Sequence, residues 1–529
     1  MESFQGPKIK IRNTKFLKSF NPDKLKRKRE EDIIELRKQK RIDQLVKKRF
    51  LLKQTEEVSP EPYIQGSEYI NFSQSLITKN LSEKCPELLN LDLIPSERLF
   101  LLIKYIQNLE DPSDLLDPIK TLRHVLSQDR TCPINLFMST GISTKLIKTL
   151  NLDSKDLQIE CLWCLINLAS GPPHIIKKLF DNNIKDPLKK LLNSDDPELL
   201  HHTIWCIGNL VGDSSCPRFA LIELIPLLVD LINKIPQDRW KNIIWALSNF
   251  CRGKPYINRE ATQQILTVIP KLLKTNDDDL ITDSCWTLSF MSSIDAERVQ
   301  DIVDIEILSN LVGILNLEPG RFTLPSLRII GNILWGSDQA QKILELGFLD
   351  CVNKLLTQKK IALKKEILWI LSNITSGSDE QIKQVLNHSC IGIVIKCLED
   401  PDIEIRNEAI WVISNATNAQ DKNLVLKIIE IGAFPLICEF LNFSDSKVIM
   451  VVLEGIDNLL WAGSGFEVND VALKLDEIGG LNKIEALQHC RNLKVYNKVV
   501  EIMEKYWGVD EVEVVDEALL AIPQTFSFN

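Results

Sequence analysis

Ile367-Leu368-Trp369-Ile370-Leu371-Ser372-Asn373-Ile374, running on into Thr375-Ser376-Gly377, is the stretch that decides the fold. At helical spacing it is apolar on nearly every side, and it ends in residues that stop helices. Its tryptophan and asparagine, four residues apart, stand one above the other on a single helix face. The same pair returns at Trp163/Asn167, Trp205/Asn209, Trp245/Asn249 and Trp411/Asn415. Trp286 keeps the register with Phe290 in the second place, Arg328 with Asn332 fills the step before Trp369, and Glu454 with Asn458 follows the step after Trp411. Single intervals between these tryptophans are 42, 40, 41 and 42 residues, and the 83 between Trp286 and Trp369 is two more of that length.

A period of 40 to 43 residues is the length of a two- or three-helix armadillo or HEAT unit, and is too long for a leucine-rich or ankyrin repeat. The chain is therefore expected to be an all-α solenoid whose core is a long strip. Most of the ladder helices run into Gly, Ser or Asp, as at Ser170-Gly171, Gly212-Asp213, Gly253, Gly336 and Ser376-Gly377, where glycine is the expected terminator. Around Leu122 to Ser127 the pattern has no tooth, consistent with a capping first repeat.

Composition agrees with a large helical protein: 44% of residues are hydrophobic and 26% charged, without a transmembrane run and with a polar, basic N-terminus unlike a signal peptide. Thirteen cysteines in no framework spacing suit reduced thiols in the cytosol or nucleus. Cys161 and Cys164 form a CxxC inside an apolar helix, where core filling is the expectation rather than metal or redox chemistry. Residues 1–55 hold 18 Lys+Arg against 7 Asp+Glu, a balance of +11, so a net charge of −9 leaves −20 for the rest. A basic arm on an acidic body folds back onto it or binds another acidic partner. A nucleic-acid arm or a solvated tail is the plainer reading, but the body has no second basic run to hold a phosphate backbone.

The arm is patterned. After Asn21-Pro22-Asp23, a helix start, come Lys24 to Arg29 and then Ile33, Ile34, Leu36, Ile42, Leu45 and Val46 interleaved with Arg37, Lys38, Lys40, Arg41, Lys47, Lys48 and Arg49. This reads as a long basic amphipathic helix suited to an acidic groove. The stretch from about 54 to 84, with Ser59-Pro60-Glu61-Pro62 and Gly66, has linker character.

These features together resemble the importin alpha family, the armadillo adaptors that carry nuclear-localisation signals. Arg12, Phe16 and Glu35 through Arg49 resemble the importin-beta-binding domain, and Trp245 to Pro255, Glu366 to Gly377 and Glu408 to Thr417 resemble the family's fourth, seventh and eighth repeats. The resemblance implies a right-handed superhelical armadillo-repeat solenoid with a basic N-terminal helical arm. The expected division is an importin-beta-binding arm at 1–55, a linker at 56–84, about ten armadillo repeats at 85–505 and an acidic tail at 506–529.

An extended peptide advances about 3.3 Å per residue and stacked helices repeat at about 8–10 Å, so successive teeth would meet a bound peptide every two or three residues. Tryptophan faces can seat the aliphatic stems of Lys and Arg, with a cation–π contribution of roughly 0.5–2 kcal/mol each, while asparagines clamp the peptide backbone. The resemblance implies a major site of Trp163, Asn167, Trp205, Asn209, Asp213, Trp245 and Asn249. It implies a minor site of Arg328, Asn332, Asp338, Trp369, Asn373, Glu408, Trp411 and Asn415. Asp213 matches the position that pairs with the signal's key lysine, and Asp283, three residues before Trp286, lies near that groove. Arg328 is expected to hold the peptide backbone or a neighbouring acid. The interval from Trp286/Phe290 to Arg328 divides the two sites.

By the same resemblance Lys47, Lys48 and Arg49 imitate a localisation signal and occupy the major site until importin beta takes the arm away, at an effective concentration of about millimolar order. The implied partners are importin beta, cargo with basic signals, and an export receptor and nucleoporins near the acidic tail. The implied location is cytoplasm and nucleus, with shuttling through nuclear pores. No cofactor, metal, nucleic acid or membrane insertion is expected. Departures include Pro172-Pro173-His174-Ile175-Ile176, where the family places threonines, and Phe290 in place of a tyrosine. Trp240, Trp335, Trp461 and Trp507 lie off the register and read as packing, and His201 and His202 as exposed residues near a helix start. No phosphate loop, nucleophile–base pair or metal spacing suggests an enzyme. The competing reading is an armadillo scaffold of the catenin kind in adhesion or signalling, which would share the solenoid without the arm or the paired teeth.

Overall fold

A computed structural model describes residues 77–90, 95–127, 137, 139–212, 215–336, 338–464 and 469–507; the expected arm, Asp213 and most of the acidic tail lie outside them. These residues are helical throughout, with no β-strand among them. They fall into two compact units divided between residues 337 and 338.

Each repeat ends in a long helix. In the first unit these are α1 (Leu116–Ser127), α2 (Lys155–Ala169), α3 (Pro197–Gly212), α4 (Trp240–Phe250), α5 (Asp278–Ser292) and α6 (Thr323–Gly336). In the second they are α7 (Ile361–Thr375), α8 (Ile403–Ala416), α9 (Ser446–Gly463) and α10 (Leu493–Trp507). Those from α2 to α9 carry the ladder positions. Within each unit every one of these helices packs on the next, forming one stack from α1 to α6 and another from α7 to α10. A helix with neighbours before and behind, and two shorter helices of its own repeat beside it, must be apolar nearly all round. Accordingly every residue from Leu280 to Ser292 in α5 is buried.

Acidic caps start several of the ladder helices. Asp277 accepts from the Asp279 and Leu280 amides, Asp402 from those of Glu404 and Ile405, and Asp445 from that of Lys447. Such side-chain acceptors satisfy amides that the first turn leaves unpaired. The same carboxylate end is bridged to the preceding repeat: Lys241 reaches Asp277 at 2.9 Å and Asp279 at 3.1 Å, Lys155 reaches Asp196 at 2.7 Å, and Lys364 reaches Asp400 at 3.0 Å.

Glycine acts elsewhere than expected. Of the terminators read from the sequence only Gly253 is left-handed; the other left-handed glycines, at 141, 347, 432 and 479, lie at the turn into the middle helix of a repeat. That turn reverses the chain within a few residues, which a positive φ allows. Two repeats take the positive φ without glycine, through Asn183 at φ 58° and Glu306 at φ 53°, and the turns at 267–268 and 388–390 use neither glycine nor a positive φ. Asparagine tolerates that region, whereas at Glu306 it is strained.

Candidate functional site

The asparagines follow one rule. Asn209 Nδ2 donates to the Ile166 carbonyl at 3.1 Å, Asn249 to that of Gly208 at 3.0 Å, and Asn415 to that of Ser372 at 2.9 Å. In each case the acceptor immediately precedes the ladder asparagine of the repeat before. Elsewhere the donor finds a hydroxyl: Asn167 donates to Ser127 Oγ at 3.2 Å, Asn332 to Ser292 Oγ at 2.9 Å, and Asn458 to Thr417 Oγ1 at 3.0 Å. The amide group thus stitches consecutive repeats, and the carboxamide oxygen is what remains for a ligand. At Asn209 and Asn415 that oxygen is buried and has no hydrogen-bond partner among the described residues. An unmet buried acceptor costs about 1–3 kcal/mol, which a donor arriving with a ligand would recover. Asn373 differs, since its Nδ2 is the buried atom without a partner.

The tryptophans pack as well as line. Trp205, Trp369 and Trp411 are buried, while Trp163 and Trp245 are half-buried. Trp163 and Trp205 meet edge to face with ring centroids 5.4 Å apart, so a basic side chain entering between them must turn one ring aside. The half-buried Trp163 is the ring with room to turn. Trp245 lies against the backbone of Gly208: a Cβ there would fall 2.1 Å from its Cζ3 atom. Only glycine at 208 lets this indole sit so close while Asn249 bonds the Gly208 carbonyl.

One helical turn before each tooth lies a further set of positions that face the same way. They hold Glu160, His202, Asn242, Asp283, Glu366 and Glu408 ahead of Trp163, Trp205, Trp245, Trp286, Trp369 and Trp411. Asp283, Glu366 and Glu408 are 6%, 4% and 8% exposed. Glu160 is bridged to Arg123 at 2.5 Å. Sequence reading found Asp283 and Glu408 and missed Glu160 and Glu366, although the offset of three residues was the available signal. Asp338 is exposed. Asp213 and the arm residues Lys47, Lys48 and Arg49 lie outside the described residues.

The reading of one histidine changes. His202 is 6% exposed, not a surface residue: its ring centroid lies 5.1 Å from that of Trp163, and Nδ1 lies 2.8 Å from the Glu198 carbonyl oxygen. His201 is exposed as expected. Arg328 is buried with its guanidinium 5.7 Å from the Trp286 ring centroid, so the cation supplied to that ring comes from within the chain. Trp286 also stacks on Phe290 at 6.0 Å. The interval between the two tryptophan–asparagine runs is thus filled by its own side chains. Arg328 and Asn332 belong to the first unit; Trp369, Asn373, Glu408, Trp411 and Asn415 belong to the second.

Off the register, Trp240 packs as expected, donating to the Ile235 carbonyl at 2.9 Å. Trp335 and Trp461 do not: they are 41% and 38% exposed. Cys161 and Cys164 are fully buried, and burial pushes both thiols well above their ordinary range, which leaves them as core. Ile175 and Ile176 are buried in the helix Pro173–Asp181, so the expected threonine positions have become packing.

Comparison with known proteins bears directly on this arrangement. The importin beta binding domain family matches residues 12–91, the armadillo/beta-catenin-like repeat matches 378–417, and an atypical armadillo repeat matches 469–524. The chain is 32% identical over 534 residues to importin subunit alpha-1a of Oryza sativa subsp. japonica, covering 99% of this chain and 97% of that protein. It is 33% identical over 536 residues to importin subunit alpha-B of Dictyostelium discoideum, covering 99% and 98%. The crystal structure of an engineered protein superposes with a TM-score of 0.69 over 77% of this chain and 98% of that one, at 24% identity, which is a likeness of fold. With an importin beta binding domain ahead of armadillo repeats, and relatives of this identity along nearly its whole length, the chain belongs to the importin alpha family of nuclear import adaptors.

Proposed function

We propose that this adaptor binds cargo as an extended basic peptide along its tryptophan–asparagine helices. The major site lies at Trp163, Asn167, Trp205, Asn209, Asp213, Trp245 and Asn249, and the minor site at Arg328, Asn332, Asp338, Trp369, Asn373, Glu408, Trp411 and Asn415. The observation that carries the reading is the unmet, buried Oδ1 of Asn209 and Asn415, each on a carboxamide whose amide group is already anchored to the preceding repeat. A fixed acceptor at matching positions of two repeats suits the backbone N–H groups of a peptide whatever its side chains. The carboxylates of Asp283, Glu366 and Glu408, one turn before their teeth, favour basic side chains over others.

The basic arm at 1–55 binds importin beta, and when free its Lys47-Lys48-Arg49 stretch competes with cargo for the major site. Binding of an export receptor and nucleoporins near the acidic tail, and shuttling between cytoplasm and nucleus, complete the reading. The test is a full-length chain with Lys47, Lys48 and Arg49 replaced by alanine, titrated with a fluorescent basic peptide. Affinity rising about tenfold or more over the unmodified chain is expected from an intramolecular competitor. Equal affinity for the two chains removes the autoinhibitory part, and failure of both to bind removes the site.

A further inference from the structure

Arg328 and Glu454 are the two ladder positions from α2 to α9 without a tryptophan, and each has one two turns further along its helix. Trp335 follows Arg328 by seven residues and Trp461 follows Glu454 by seven, a spacing that returns to the same face. Both rings are exposed. The teeth that do carry tryptophan have Ser170, Gly212, Arg252, Ser293, Ser376 and Asn418 at that offset. Aromatic surface has been moved along these two helices rather than lost.

The two segments correspond residue for residue with a constant offset of 126. Arg328, Asn332 and Trp335 answer to Glu454, Asn458 and Trp461, and Ser292, which accepts from Asn332, answers to Asn418, whose Oδ1 accepts from Asn458 at 3.1 Å. The helix Ala296–Asp304 packs on α6 as Lys422–Glu430 packs on α9, and each is capped by an aspartate, Asp295 and Asp421. At Trp461 this arrangement shows its use. Lys422, the first residue of its helix, holds its ammonium 5.1 Å from the Trp461 ring centroid and donates to the Ser464 carbonyl at 2.5 Å. The residue answering to Lys422 beside Trp335 is Ala296, which is exposed and carries no ammonium. Asp295 keeps its place beside it, bridged to Arg298 at 2.5 Å.

We infer that Trp335 is a specificity-determining residue that receives a lysine of the cargo peptide. The bound ammonium takes over Trp335 the place that Lys422 takes over Trp461. The inference rests on the ladder being the basic-peptide groove. The occupant is a lysine because the chain fills the equivalent ring with one, and because the body after residue 55 carries −20.

The experiment titrates the full chain, Trp335→Ala and Ala296→Lys with a fluorescent two-cluster basic peptide and with its single lysine-to-alanine variants. Ala296→Lys supplies the ammonium from within at an exposed helix start and leaves the tryptophan intact, so it separates an occupied ring from a damaged helix. Both substitutions should weaken the parent peptide roughly three- to tenfold, the size of a partly exposed cation–π contact. Both should erase the contribution of the same single lysine. Native affinity in both variants overturns the inference, as does a loss in Trp335→Ala unmatched by Ala296→Lys, which would make the ring structural. If the unmodified chain binds none of the peptides, the groove reading falls and this one with it.

Discussion

Helices α2 to α4 and helices α5 to α6 are built alike and differ in what they leave for a ligand. Both sets are apolar nearly all round, stack on their neighbours, and begin within reach of a basic residue of an adjacent repeat, with Lys155 at Asp196, Lys241 at Asp277 and Arg321 at Asp279. Along α2 to α4 each tryptophan is paired with an asparagine stitched to the repeat before it. At α5 the asparagine has become Phe290, stacked on Trp286, and at α6 the tryptophan has become Arg328, set against that same Trp286. On the proposed reading two side chains per repeat decide whether a tooth serves a ligand or its own neighbour, while the rest of the helix decides that it stacks.

The hardest way to break this contrast is to remove the paired acceptors. Asn209→Ala with Asn249→Ala should weaken a basic peptide about a hundredfold, at roughly tenfold for each lost hydrogen bond, and lower the melting temperature through the two lost stitches. A loss under about fivefold in fluorescence polarisation would show that the asparagines serve packing alone. Gly208→Ala should follow, with a loss of about tenfold, because the new methyl pushes the Trp245 indole from its seat. A changed tryptophan emission spectrum with the helical circular dichroism kept would locate the change at the ring. The smallest effect is expected in the filled interval. Arg328→Ala removes a guanidinium donor of the proposed minor site and should weaken a two-cluster basic peptide two- to fivefold at low and at high salt alike. An unchanged affinity at both salts would mean that no peptide crosses this interval.

Much of this was legible in the sequence because a repeat announces itself by period. The register of Trp163, Trp205, Trp245, Trp286, Trp369 and Trp411 yields both the solenoid and the face that carries the teeth. What stayed hidden depends on contacts between repeats. The partner of the Asn209 amide is a carbonyl 43 residues away, and no local pattern says that a carboxamide is half used. His202 lies near the start of α3 and reads as surface until Trp163 is set against it. Trp335 and Trp461 look like core because they miss the register, and only their seven-residue spacing from Arg328 and Glu454 reveals the shared face. Gly171 and Gly377 were read as terminators, yet the left-handed turn falls earlier in each repeat, where Asn183 and Glu306 show that glycine is preferred and not required.

The stitching asparagines also bear on how such an array can change over generations. A residue with a single duty drifts as soon as that duty relaxes, but on the proposed reading a ladder asparagine has two, the cohesion of adjacent repeats and the grip on a ligand. Loss of a binding tooth therefore also removes a stitch. Phe290 does not restore it, since it stacks on Trp286 of its own helix, so cohesion at that position is left to the packing of α5 against α4.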